Sequence, residues 1–181
     1  MTILVVDDSS TIRRRIRKEL EASDHEVFEA ENGDVAFEQL AVVEPHLITL
    51  DVDMPGMNGY EVCSRIRGGQ DVGGRFADIP IIFITANDTA RSRQQGYQVG
   101  GNEFLSKPFL PGELSLAIDR ARKTHDNIRG HTVLVVDDSK SIRTFLKIGL
   151  RAKGLKVIEA EDGEVALAIL KKNAGAIDIV V

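Results

Sequence analysis

Two adjacent carboxylates, Asp7 and Asp8, follow the apolar run Ile3-Leu4-Val5-Val6, and a third, Asp51, closes the run Leu47-Ile48-Thr49-Leu50. Thr85 ends the run Ile81-Ile82-Phe83-Ile84, and Lys107 follows Phe104-Leu105-Ser106. Short apolar runs with little polar alternation predict strands covered on both faces of a parallel sheet. In doubly wound sheets, functional groups gather at the C-terminal ends of the strands, which is where these residues stand. Three carboxylates converging there repel one another, and burial raises the cost. A hard divalent cation relieves it. Magnesium suits, because it accepts one or two carboxylates together with waters and phosphate oxygens, and manganese is the natural substitute. Lys107 offers a cation to pair with a phosphoryl oxygen, and the Thr85 hydroxyl can donate to another. The set predicts a site that holds a metal and a phosphoryl group on a carboxylate.

Strands are predicted at 3–7, 26–30, 47–51, 80–85 and 103–106, with helices at roughly 33–42, 59–67, 88–99 and 111–125 between and after them. Ile12, Ile16 and Leu20 recur every four residues among Arg13, Arg14, Arg17 and Lys18, which predicts a first helix with a buried stripe and a wet basic face. Successive strand–helix units of this kind predict an α/β fold, a doubly wound five-stranded parallel sheet. The stretch Gly68–Asp78 is rich in glycine and aperiodic, and reads as a loop.

The pattern begins a second time. Thr2–Leu40 aligns without a gap on Thr132–Leu170, and about half of the paired residues are identical. Asp7-Asp8-Ser9 becomes Asp137-Asp138-Ser139, and Val27-Phe28-Glu29-Ala30 becomes Val157-Ile158-Glu159-Ala160. Repetition at this spacing predicts duplicated domains: a complete one over 1–125, a short polar linker at 126–131, and an incomplete βαβαβ copy over 132–181. The third apolar run of the second copy, Ile177–Val181, is expected to stop about two residues short of a counterpart to Asp51. Residues 131–181 are therefore expected not to be phosphorylated, and to expose a third-strand edge and an apolar face that borrow cover from the first copy or a neighbouring chain, or fray.

Composition narrows the classes. Of 181 residues, 43% are hydrophobic and 28% charged, a balance that excludes a disordered chain. No apolar run approaches the ~20 residues that span a bilayer, and no membrane partner is expected. The single cysteine, Cys63, makes an internal disulfide or a multi-cysteine zinc site impossible and fits a cytoplasmic location. It stands beside Val62 and Ile66 on an apolar helical face and is expected to be a buried structural thiol. A net charge of −5 argues against direct nucleic-acid binding. His25, His46, His125 and His131 show no ligand spacing and are expected at the surface.

These motifs in this order resemble the response-regulator receiver domain of two-component signalling. The resemblance rests on Leu-Val-Val-Asp7-Asp8-Ser, on Leu-Ile-Thr-Leu-Asp51-Val-Asp53-Met54-Pro55-Gly56-Met57-Asn58-Gly59, on Phe-Ile-Thr85-Ala86, and on Phe104-Leu-Ser-Lys107-Pro108-Phe109. It covers residues 2–125 and, in part, 132–181. It implies a flavodoxin-like sheet of strand order 2-1-3-4-5. It further implies that Asp51 is the phosphoacceptor, Asp8 a direct magnesium ligand, Asp7 a ligand through water and the Asp53 backbone carbonyl a further ligand. Thr85 and Lys107 become the switch hydroxyl and the phosphate-pairing lysine, Phe104 the aromatic switch, and Lys107-Pro108 a cis peptide. The implied partners are a histidine kinase or a histidine phosphotransfer protein, with an output domain beyond the C-terminus; self-association through the incomplete copy is a further expectation. The implied chemistry is phosphoryl acceptance and slow self-dephosphorylation, not turnover as an enzyme.

Two other readings compete. A haloacid-dehalogenase-like phosphatase also uses an aspartyl phosphate, and Asp51-Val-Asp53 with Thr85 and Lys107 downstream resembles its motifs; it wants its nucleophile on the first core strand and an acidic metal pair later in the chain, for which 110–125 offers little. An unphosphorylated scaffold is weak for the first copy, where the whole set is present, and stronger for the second. Taken singly, Asp7, Asp8 and Ser9 are good helix caps, Phe104 is a core residue and Arg13–Lys18 a solvated face; only their order raises them above that.

Overall fold

In a computed structural model, which describes residues 1–69, 73–128, 130–173 and 175–181, with side chains undescribed over 126–128, two parallel sheets follow one another along the chain. The elements of the first are β1 (Thr2–Val6), α1 (Ser10–Glu21), β2 (Glu26–Ala30), α2 (Gly33–Val42), β3 (Leu47–Asp51), α3 (Gly59–Gly68), β4 (Ile81–Thr85), α4 (Ala90–Gln98), β5 (Glu103–Ser106) and α5 (Glu113–Ile128). The strand order is β2-β1-β3-β4-β5, all parallel, as the resemblance implies.

The sheet divides two apolar cores. Leu4, Val6, Ile48, Leu50, Ile81 and Phe83 point to the face covered by Ala36 and Leu40 of α2 and Val62, Cys63 and Ile66 of α3. Ile3, Val5, Leu47, Ile82 and Ile84 point to the other, against Ile16 and Leu20 of α1 and Leu114, Ala117, Ile118 and Ala121 of α5. Alternate residues of one strand thus feed opposite cores, which is why the runs read as continuously apolar. Cys63 is fully buried, and its thiol is pushed up to about 11 by burial.

Caps set the helix starts. The side chains of Ser9, Asn32 and Thr89 accept from the backbone N–H groups of Ile12, Val35 and Ser92, and Asn58 forms a reciprocal capping box with Glu61. The Thr89 cap starts α4 two residues later than periodicity suggests. Gly112, at φ +88°, delays α5 to Glu113, and α5 then continues to Ile128, into the span expected as linker; Arg129 lies outside the described residues. Of the loop expected over 68–78, Gly68 ends α3, Phe76 turns inward to 6% exposure, and 70–72 lie outside the described residues.

The second sheet comprises β6 (Thr132–Val136), α6 (Lys140–Arg151), β7 (Lys156–Ala160), α7 (Gly163–Lys172) and β8 (Ile179–Val180), in the order β7-β6-β8. Val133 pairs with Ile179 as Ile3 pairs with Leu47, so Val181 stands level with Thr49 rather than Asp51. The cores of this sheet are thin. Val133, Val135 and Leu155 form one and Leu134, Ala160 and Ala166 the other, while no residue of α6 is buried and Ile179 and Val180 of β8 are half-exposed.

Candidate functional site

The expected residues meet at the C-terminal edge of the first sheet. β1 and β3 are adjacent and parallel in register, Val6 opposite Leu50, so Asp7 and Asp51 emerge side by side. β4 and β5 follow on the other side of β3, which brings Thr85 opposite Ser106 and leaves Lys107 one residue beyond. Carboxylate oxygens of Asp7, Asp8 and Asp51 all lie within 4.8 Å of one another. Lys107 Nζ bridges two of these carboxylates, donating to Asp7 Oδ2 at 2.7 Å and pairing with Asp51 Oδ2 at 2.8 Å. Asp7 and Asp51 are buried at 1% and 4% exposure, whereas Asp8 is exposed, so the cluster has a dry floor and one side open to water.

Electrostatics follow from that enclosure. Burial pushes the Asp51 carboxyl above the ordinary carboxylate range; the Lys107 ammonium pulls it back and the Asp7 charge pushes it up again. For Lys107, burial acts to lower the ammonium, but its bonds to Asp51 and Asp7 outweigh it and the net direction is up. Lys107 pairs with two of the three clustered carboxylates and Asp8 stands beside them, so the cluster carries more acidic than basic groups. The donors are all hard oxygens with an open side, a set that fits a small divalent cation retaining water.

The backbone is held as firmly as the side chains. Ser9 N–H donates to Asp7 Oδ1 at 2.8 Å, and Asp53 N–H donates to Asp51 Oδ1 at 3.3 Å. Gly59, the first residue of α3, lies so close behind the acceptor strand that a Cβ there would sit 2.1 Å from the Asp51 carbonyl oxygen. Only glycine fits. Thr85 is fully buried; its hydroxyl donates to Asp53 Oδ2 at 3.4 Å and accepts from Asn87 N–H at 3.0 Å. It faces Asp53, not Asp51, and the exposed Asp53 side chain stands outside the carboxylate cluster. Phe104, at 3% exposure, packs on Phe83 and Tyr97 at 5.2 and 5.0 Å between ring centroids. Lys107-Pro108 is cis.

Two expectations are corrected. Arg13 is no wet-face residue: its side chain is 13% exposed, pairs with Glu29 at 3.3 Å, and donates to the carbonyl oxygens of Asp7 and Asp8 at 2.7 and 3.2 Å. It braces the loop that carries both carboxylates. The signal was in the repeat, since Arg143 occupies the same place and makes the same bonds to Asp137 and Asp138 at 2.7 and 3.3 Å. His125 is buried rather than superficial, because Gly154 of the second sheet packs over it. One feature had no signal in the sequence: Asp88 accepts from Arg93 at 2.5 and 2.6 Å and from the Ser106 hydroxyl, tying the start of α4 to the end of β5.

Residues 3–119 match the family model described as response regulator receiver domain. Over 116 residues the chain is 40% identical to the transcriptional regulatory protein ResD of Bacillus subtilis, covering 64% of this chain and 45% of ResD. It is 39% identical over 113 residues to the phosphate regulon transcriptional regulatory protein PhoB of Pseudomonas aeruginosa, covering 62% of this chain and 48% of that one. The chain therefore spans about half the length of these curated relatives. Among solved structures, the chemotaxis protein CheY4 of Vibrio cholerae superposes with a TM-score of 0.62 at 30% identity, over 66% of this chain and 97% of CheY4. Among the described residues no helix is long and apolar enough to cross a membrane.

Proposed function

From the premise that this chain belongs to the response regulator receiver domain family, whose members are generally signalling domains rather than enzymes, we propose that Asp51 accepts a phosphoryl group from a phosphohistidine. The donor is a histidine kinase or a histidine phosphotransfer protein. One Oδ of Asp51 attacks phosphorus, the P–N bond breaks with its electron pair leaving on the imidazole nitrogen, and the imidazole takes a proton from solvent. The transition state of such a transfer is loose, so placement and charge compensation do most of the work. The observation that carries this reading is the Lys107 ammonium held between Asp7 and Asp51 at 2.7 and 2.8 Å, inside a carboxylate triad no more than 4.8 Å across.

Each residue then has a task. Lys107 stays with the phosphoryl oxygens while the incoming group replaces part of the Asp51 contact. Asp8 and Asp51 would hold a divalent cation directly, with Asp7 assisting through water and the Asp53 backbone carbonyl offering a further oxygen. Magnesium, or manganese in its place, would supply charge neutralisation at the phosphoryl oxygens when bound. Thr85 must give up Asp53 to reach a phosphoryl oxygen, and Phe104 is the aromatic residue that follows it. Hydrolysis of the acyl phosphate at Asp51 returns the resting state. The haloacid-dehalogenase reading has less support, because the acceptor stands on the third strand of the chain.

For residues 132–181 the proposed reading is that they form part of a second receiver-like unit, attached through 126–131 to a complete receiver over 1–125. Output by a further domain and a cytoplasmic setting complete the reading. Treatment with acetyl phosphate and magnesium, read by intact mass, tests it. The chain should gain one phosphoryl group, Asp51→Asn none, and Asp137→Asn one. Undiminished gain in Asp51→Asn would overturn the assignment.

A further inference from the structure

The two sheets touch through α4 and α6, and the contact lies one side chain away from the interior of the first sheet. Tyr97 of α4 has Phe104 against its ring at 5.0 Å, and on its other side it lines an apolar groove of about 440 Å³ with Gly101 and with Phe145, Leu146, Gly149 and Leu150 of α6. The stripe that α6 offers there corresponds to the α1 stripe that α5 covers in the first sheet. Ile16 and Leu20 are buried under Leu114 and Ala117, but their counterparts Leu146 and Leu150 are only partly buried, against Val133, Val135 and Leu155. Position 145 is telling. Its counterpart, Arg15, stacks on Phe109 at 4.6 Å, whereas the second sheet places a phenylalanine there, facing α4. The C-terminal end of α6 is pinned at one end of the groove, where Asn102 donates to the Ala152 carbonyl between Leu150 and Lys153, and Phe145 stands towards the other end.

A bonded route joins this groove to the acceptor. The Thr85 hydroxyl holds the Asn87 N–H at 3.0 Å while it donates to Asp53. Asn87 opens the loop that carries Asp88, clamped to both Arg93 and Ser106, and Thr89, the cap of α4. A Thr85 that turns towards a phosphoryl oxygen on Asp51 releases Asn87 and shifts the start of α4. Because Gly96 sits so close to Phe104 that a Cβ would approach its ring to 2.2 Å, α4 cannot slide without moving that ring or parting from it.

We infer that the α6 stripe is an intramolecular ligand of α4 whose seating depends on the state of Asp51: it is docked in the unmodified protein and loosened by phosphorylation. This rests on the phosphorylation of Asp51 proposed above. Linkage makes the dependence reciprocal, so weakening the dock must favour the phosphorylated state.

The chain has no tryptophan, so Phe145→Trp places a single reporter in the groove. Acetyl phosphate with magnesium, with occupancy followed by intact mass, should shift its emission to the red and raise acrylamide quenching about twofold, while the same change in an Asp51→Asn background should do neither. Phe145→Asp should tighten the reversible binding of beryllium fluoride with magnesium, a non-hydrolysing mimic of the phosphoryl group, by about fivefold, the low end of typical coupling, and unchanged affinity would count against the dock. Hydrogen exchange on the unmutated chain gives a second readout, with protection falling together in α4 and α6. Full phosphorylation by mass with unmoved emission and unchanged exchange would overturn the dock; no gain in mass would instead sink the phosphoacceptor reading on which it rests.

Discussion

Replacing Lys107 by methionine keeps the length of the side chain and removes its charge. Two attractions are lost, at 2.7 and 2.8 Å, each gross about 6 kcal/mol at an effective dielectric near 20. The carboxylates left behind lie within 4.8 Å, a repulsion of about 3.5 kcal/mol per pair on the same scale. Most of the gross loss is offset by relief of the ammonium's own desolvation and by water entering beside exposed Asp8. Removal of one partner from a buried pair leaves a net cost of about 3 kcal/mol. For a unit of this size that lowers the melting temperature by about 10 °C. The sign of the pH dependence is fixed by Asp51, whose carboxyl burial already raises above 3.8 and which the variant raises further. A carboxyl raised on folding destabilises the native state when charged, and that penalty fades as pH falls through its folded value. The gap between variant and parent should therefore narrow from pH 7 to pH 5, and magnesium should stabilise the variant more than the parent. Thermal or urea denaturation in chelator at both pH values is the assay. A variant as stable as the parent at pH 7 without divalent cations would show that Lys107 does not hold the carboxylates together.

Three further outcomes follow from the same geometry. Arg13→Ala removes the bonds to the Asp7 and Asp8 carbonyls and the Glu29 pair, and should cost about 2 kcal/mol in urea denaturation while reducing the stabilisation that magnesium confers. Gly59→Ala forces a Cβ against the Asp51 carbonyl and should cost about 3 kcal/mol, the upper end of overpacking, with slower phosphorylation by acetyl phosphate. With Ile179 and Val180 exposed on the edge strand β8, the parent should associate with rising concentration in sedimentation velocity and Val180→Lys should not; a parent that stays monomeric, or a variant that associates equally, would count against the exposed edge.

Much of the first sheet could be read from the chain because buried parallel strands have an unmistakable local pattern and their C-terminal ends come in a known spatial order. Asp7, Asp8, Asp51 and Lys107 converge for that reason alone. The strand pattern places Thr85 at the end of β4 but says nothing of its resting partner, since the turn of its hydroxyl towards Asp53 depends on contacts from another loop. Arg13 reads as a solvated residue in the sequence because helical periodicity reports which side of α1 faces the core, not what a long side chain reaches past its end. His125 reads as a surface residue in the sequence because its cover, Gly154, comes from the turn between α6 and β7, and no local pattern encodes contact between segments so far apart. Cover from the first copy is an expectation the uncovered face of the second already carries, but that α4 is the helix that meets α6 has no local signal, for the same reason.

On the proposed reading, one carboxylate at the end of β3 takes the phosphoryl group. Borohydride reduces an acyl phosphate to an alcohol, so peptide mapping after treatment with acetyl phosphate, magnesium and borohydride marks the acceptor directly. Homoserine at position 51, with Asp7, Asp8, Asp53, Asp137 and Asp138 intact, is the expected result. Conversion at any of those five positions, with Asp51 untouched, would contradict it.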